Sequence, residues 1–178
     1  MDSPPPLPPS IARYLSARGW SLHAHQRRML ALASHPACLL VAPTGGGKTL
    51  AGFLPTLAEL ADGDHEGLHT LYVSPLKALA ADIRRNLARP IEEAGLPIRV
   101  EDRTGDTPAS ARARQRRHPP HILLTTPESL AVMLAGPDAA HVFGSLKRVI
   151  VDEIHALAES KRGEQLSLLL SRLGTLSP

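Results

Sequence analysis

Ala42-Pro43-Thr44-Gly45-Gly46-Gly47-Lys48-Thr49 is the stretch on which the fold turns. It follows the apolar run Cys38-Leu39-Leu40-Val41-Ala42 and opens a segment in which Leu50, Phe53, Leu54, Leu57 and Ala61 keep helical spacing. An expected strand, a glycine-rich turn and a helix entered through Lys-Thr give the setting of a phosphate-binding loop. Gly45, Gly46 and Gly47 let backbone N–H groups wrap phosphate oxygens, because glycine takes dihedrals closed to other residues. Lys48 brings a point charge to the β- and γ-phosphates of ATP, and the Thr49 hydroxyl suits Mg2+. Pro43 and Thr44 complete the cradle, while Ala42 stands where the general pattern has its first glycine. A plain strand-to-helix turn would not need the Lys-Thr pair.

Outward from this loop, four further short apolar runs read as strands: Thr70–Ser74, Ile98–Glu101, Ile122–Thr125 and Val149–Asp152. Most are continuously apolar, as in strands buried on both faces of a parallel sheet. Ile98–Glu101 alternates instead, which places it at a sheet edge. Helical patterns lie between them, through Leu76, Leu79, Ala80, Ile83 and Leu87, and through Leu166, Leu169, Leu170, Leu173 and Leu176. Strand and helix alternate, so an α/β fold is expected, with a mostly parallel sheet flanked by helices. Pro55 falls inside the first helix, where an interior proline costs about 3 kcal/mol. A kink or break is expected there.

The N-terminal side divides into a proline-rich leader, residues 1–10, and one or two amphipathic helices over 11–36, interrupted at Gly19. The remainder, 37–178, reads as the α/β domain, and 178 residues in all leave room for one such core and not for two. Only five residues are aromatic, so stacking of bases on aromatic platforms is not expected. A single cysteine, Cys38, excludes a disulfide framework. No signal peptide and no apolar span near ~18 residues is present, so a cytoplasmic protein without a membrane partner is expected. Asp62–Gly67 reads as a polar surface loop without calcium-loop spacing. The run Arg112–Arg117 is either a nucleic-acid patch or, as more often, a solvated helix face.

Val149-Ile150-Val151-Asp152-Glu153-Ile154-His155 supplies the counterpart of the phosphate loop. Two carboxylates emerge at the C-terminal end of a strand, where ligands sit in open α/β sheets. Asp152 suits Mg2+ held through water, and Glu153 suits a general base for the attacking water. A hydrophobic run followed by Asp-Glu is weak alone and gains weight from the upstream loop. His155 directly after Asp-Glu-Ile joins the candidate catalytic set of Lys48, Asp152 and Glu153.

Together these residues resemble a superfamily 2 DExH helicase. Leu71–Leu79, Arg103–Thr107, Thr125–Ser129 and Ser160-Lys161-Arg162-Gly163 are similar to the large helicase-related (Lhr) family, with wording nearest the bacterial helicases associated with DNA ligase. The resemblance implies an incomplete first RecA-like domain, with Gln26 in the Q-motif place reading adenine through its amide. It implies that Ser74-Pro75-Leu76-Lys77, Thr104-Gly105-Asp106-Thr107 and Thr126-Pro127-Glu128 grip one DNA strand by its backbone. Short hydroxyls, a Gly or Pro and one Lys suit phosphates better than base edges. RNA is left open by the same chemistry.

The resemblance further implies a Ser-Ala-Thr strand beyond Pro178, lying between the phosphate-loop strand and the Asp-Glu strand, and a second RecA-like domain with an arginine finger. Without them the fragment is expected to turn over ATP weakly or not at all. DNA ligase and nuclease partners in DNA repair are implied as well. Two rivals stand beside this reading: a binding module without turnover, and a P-loop ATPase that moves no nucleic acid.

Overall fold

The computed structural model describes residues 6–43, 45–61, 63, 65–158 and 160–177. The expectations attached to residues 1–5, Thr44, Asp62 and Asp64 lie outside the described residues. By backbone proximity the chain divides into two compact units, residues 1–64 with 89–97, and residues 65–88 with 98–178.

The first unit carries α1 (Pro9–Ala17), α2 (Ala24–Ala31) and α3 (Lys48–Leu60). Pro9 and Ser10, expected in the leader, are instead the first residues of α1. Proline suits a first helical position, because its fixed φ is helical and its missing N–H has no partner to lose there. The interruption falls at Gly19, whose φ of +64° ends α1 in a conformation glycine adopts freely. α3 runs as one helix through Pro55, which excludes the break of the expected kink or break. Phe53, Leu54, Leu57 and Leu60 are all buried around it. Burial on both sides of the proline holds the helix across the lost hydrogen bond.

Cys38–Ala42 is corrected from strand to irregular backbone without a ladder. Leu39 is 74% exposed and Val41 84%. Apolar character prepares a segment for burial, but a strand exists only where a neighbour completes its N–H and C=O pairing. Among the described residues no strand pairs with this segment, and the expected five strands become four.

The second unit holds those four: β1 (Thr70–Val73), β2 (Val100–Arg103), β3 (Ile122–Thr125) and β4 (Arg148–Val151). With them come α4 (Lys77–Glu93), whose residues from Arg89 on fall in the first unit, α5 (Ala109–Arg117), α6 (Pro127–Ala135), α7 (Ala139–Phe143), α8 (His155–Ala158) and α9 (Lys161–Leu176). The sheet is parallel throughout, in the order β2-β3-β1-β4. β1 and β3, fully buried, occupy its centre, as their unbroken apolar runs require. β2 is an edge strand, as its alternation predicts, but starts at Val100 rather than Ile98. Its start is set by the ladder that pairs Val100 with Ile122.

On one face of the sheet, Leu71, Val73 and Leu123 join Leu130, Leu134, Phe143, Leu166 and Leu173 in one core. The helical spacing read through Leu166 and Leu173 thus marks the buried stripe of α9. The C-terminal residues Arg103, Thr125, Val73 and Val151 are mutual register partners, so four loops leave the sheet from one line.

Urea denaturation separates the two kinds of apolar position. Leu124→Ala, at a site with 0% exposure, is expected to cost about 2–5 kcal/mol. Leu39→Ser is expected to stay within about 0.5 kcal/mol of the native chain.

Candidate functional site

In the first unit the phosphate loop enters α3 through Gly47, which caps the helix with φ +75°. Gly45 also takes a positive φ, of 79°. Gly47 meets a second demand: a Cβ there would lie 2.7 Å from Gln26 Nε2. That close approach accompanies a hydrogen bond from Gln26 Nε2 to the Gly47 carbonyl at 3.3 Å. Gln26 Oε1 accepts from the His23 N–H at 2.9 Å, closing the first turn of α2. The His23 and His25 rings stack beside it, 5.5 Å apart and 8° from parallel.

Gln26 is 4% exposed. Its amide has two donors and room for two acceptor bonds, so one of each remains after these contacts. Lys48 Nζ donates to the Ala42 carbonyl at 3.0 Å, folding the ammonium back over the loop. Gly46 N–H donates to the Pro43 carbonyl, and Thr49 is half-buried in the first turn of α3. A cavity of about 490 Å3 in this unit, lined by Leu15, Trp20, Leu22, Arg27 and Leu30 among others, includes none of these polar groups.

In the second unit Asp152 and Glu153 follow β4 directly. Asp152 Oδ2 accepts a hydrogen bond from the Tyr72 hydroxyl at 2.5 Å, and Oδ1 accepts from the Glu153 N–H at 2.9 Å. Each carboxylate oxygen keeps a free lone pair, so the donor set fits a hydrated Mg2+. Glu153 turns the chain into α8 with φ +49°, the only positive φ of a non-glycine among the described residues. Such a conformation costs about 1 kcal/mol or more. His155 Nε2 lies 3.2 Å from Glu153 Oε2 on an exposed side chain. The three candidate residues of this box therefore meet.

Sequence reasoning missed Tyr72. It lies in β1, next to β4 and paired with Ile150, with its ring 2% exposed. The legible signal was a phenol within an otherwise aliphatic buried strand, because a buried hydroxyl demands a partner. Burial, the hydrogen bond to Asp152 and that carboxylate's charge push its pKa well above the ordinary value of 10.0.

The three candidate strand-contact loops leave β1, β2 and β3 and each leads into a helix: α4, α5 and α6. Their hydroxyls are turned inward. Thr107 Oγ1 accepts from the Thr104 N–H at 2.9 Å, and Thr126 Oγ1 caps α6 by accepting from Ser129 N–H. Ser74, Thr104, Thr107, Thr126, Pro75 and Pro127 are buried, while Leu76, Lys77, Gly105, Asp106 and Glu128 are exposed. Lys77 Nζ reaches both oxygens of Asp106 at 3.0 Å, tying the loop after β1 to the loop after β2. Most of the Arg112–Arg117 run is engaged locally. Arg112 donates to the carbonyls of Thr107 and Gly105, Arg114 pairs with Glu101 and Arg116 with Asp138.

Known proteins resemble this chain in sequence and in fold. Residues 23–178 match the sequence model of the DEAD/DEAH box helicases. The chain is 46% identical over 149 residues to the ATP-dependent helicase Lhr-Core of Methanothermobacter thermautotrophicus, covering 76% of this chain and 17% of that protein. It superposes on the Mycobacterium smegmatis helicase Lhr bound to ssDNA and AMP-PNP with a TM-score of 0.87 and 41% identity, over 96% of this chain and 23% of the other. The DUF1998 helicase MrfA bound to DNA and AMPPNP gives a TM-score of 0.85 at 28% identity, over 100% of this chain and 26% of that one.

The raised pKa of Tyr72 predicts how stability responds to alkali. The unfolded chain ionises its tyrosines near the ordinary value, whereas folded Tyr72 stays protonated. Stability from this group is complete below that value and is lost as pH rises above about 10. Tyr72→Phe should therefore flatten the fall of the urea midpoint in alkali, and identical slopes in both proteins would contradict the contact.

Proposed function

The chain belongs to the DEAD/DEAH box helicase family, and from that premise we propose that it is the ATP-binding part of an Lhr-type helicase that moves on single-stranded or partly duplex DNA. The observation that carries the reading is the row of loops at the C-terminal edge of one parallel sheet. The loops after β2, β3 and β1 stand side by side, and the Asp-Glu box follows in the next place. One nucleic-acid strand laid along the first three has its backbone against three helix N-termini, which favour anions. Lys77 adds a cation that a phosphate can draw from its exposed pairing with Asp106.

Gln26 spends its remaining donor and acceptor on adenine. The N–H groups around Gly45, Gly46 and Gly47, with Thr44 and Pro43, cradle the phosphates, and Lys48 exchanges the Ala42 carbonyl for phosphate oxygens. Thr49 would offer its hydroxyl, and Asp152 its carboxylate, to Mg2+, which when bound would supply positive charge to the phosphates. Glu153 accepts the proton of the attacking water, and Tyr72 fixes Asp152 beside it. His155 orients the Glu153 carboxylate. A second RecA-like domain supplying an arginine finger, and DNA ligase and nuclease partners in repair, belong to the proposal through the family resemblance. So do a Q-motif role for the helices before residue 37, a RecA-like domain from 37 and a cytoplasmic location. No helix of the described residues is long and apolar enough to cross a membrane.

Fluorescence anisotropy with labelled DNA strands tests the reading. Two strands of unrelated sequence are expected to bind alike, with affinity falling as salt rises. Lys77→Ala should lower the slope of log affinity against log salt by about 0.7, one phosphate contact on a single strand. Tighter binding to a matched RNA would turn the reading toward RNA. No binding to either polymer would leave a P-loop ATPase without a strand to move.

A further inference from the structure

Arg162, in Ser160-Lys161-Arg162-Gly163, touches two of the three strand-contact segments. Its Nε donates to Glu128 Oε1 at 2.5 Å, in the first turn of α6 that follows the loop after β3. Its Nη2 donates to the Pro75 carbonyl at 2.7 Å, in the loop after β1. One planar guanidinium thus spans two neighbouring loops, which a lysine ammonium on a single stem does not match in geometry. Partial burial opposes ionisation of Glu128, but the hydrogen bond and charge of Arg162 prevail, and its carboxyl is held below the ordinary range.

The other end of this connection is the Asp-Glu box. Arg162 lies ten positions after Asp152, and short-range bonds hold the described residues between them. Ala156 N–H donates to the Glu153 carbonyl at 2.8 Å, Leu157 N–H to Ile154 at 3.1 Å, and Ser160 N–H to Leu157 at 3.0 Å. Leu157 is 1% exposed and anchors the turn in the core. The Ser160 hydroxyl donates to the Leu157 carbonyl and accepts from Gly163 N–H, capping α9 so that Arg162 projects from its first turn. From the other direction, Tyr72 joins β1 to Asp152, three residues before Pro75.

We propose that Arg162 is a positioning residue: its guanidinium sets the spacing of the Ser74–Lys77 and Thr126–Glu128 loops and joins that spacing to the position of the Asp-Glu box. The inference rests on the reading of those loops as strand contacts. Arg162 acts through Pro75 and Glu128 and makes no contact with the strand itself. The Arg162 and Glu128 side chains are 39% and 53% exposed, so the pair contributes little to global stability. Loss of the clamp should therefore loosen the grip without unfolding the chain.

The test measures single-stranded DNA affinity and melting temperature for the native chain, Arg162→Ala, Arg162→Lys, Glu128→Ala, the Arg162→Ala/Glu128→Ala double variant and Lys77→Ala. Arg162→Ala should weaken DNA binding about tenfold, within the usual range of coupling between sites, with a melting temperature close to native. Arg162→Lys should recover only part, because it keeps the charge and loses the fork. The double variant should bind no more weakly than Arg162→Ala alone, since both substitutions break one clamp. Native-like DNA binding by Arg162→Ala while Lys77→Ala loses affinity overturns the role of Arg162 alone. A loss in Arg162→Ala that tracks melting temperature, or full recovery in Arg162→Lys, also overturns it. Unchanged binding in both Arg162→Ala and Lys77→Ala overturns the strand-contact reading of the loops and this inference with it.

Discussion

The in-register parallel ladder is the constraint on which the candidate site of the second unit depends. Because Arg103, Thr125, Val73 and Val151 are paired neighbours, every loop after a strand starts at the same height. Neighbouring strands lie about 4.8 Å apart, so the four starting points span roughly 14 Å. A strand shifted by one residue would reverse which side chains face the core. Leu71, Val73 and Leu123, buried on one face with 0–1% exposure, oppose that shift. Core packing thereby fixes loop height, and loop height fixes what a ligand meets.

Around this edge the polar side chains divide into those that shape loops and those that face outward. Thr104, Thr107 and Thr126 spend their hydroxyls on N–H groups within their own loops. Lys77, Asp106 and Glu128 are exposed and joined by ion pairs to other elements. The hydroxyls that the sequence reading offered to phosphate are structural supports in this state. The charges and helix N-termini remain for a ligand. At the Asp-Glu box the left-handed Glu153 is the local cost of the arrangement, and the contacts of Asp152 with Tyr72 and the Glu153 N–H hold the turn in place.

Much of this was legible in the sequence because the signals are local. Glycine spacing before Lys48, continuous apolar runs at Ile122–Thr125, and helical spacing through Leu166 and Leu173 each carry their own physical reason. The edge position of β2 was legible from alternation. What failed was non-local. Cys38–Ala42 has the composition of a strand, but pairing belongs to two segments and none of the described strands meets it. Pro55 is a breaker by propensity, overridden by burial of the residues around it. Tyr72 and Arg162 find partners 80 and 34 residues away, and only the folded register brings those partners within reach.

Amide hydrogen exchange of the chain with and without unlabelled single-stranded DNA addresses the edge as a whole. A strand across the aligned strand ends should slow exchange jointly in the segments 74–79, 104–109 and 126–131, at the entrances to α4, α5 and α6. Protection confined to one of these segments, or located instead on the exposed face of α9, would contradict a strand lying across the aligned ends of β2, β3 and β1.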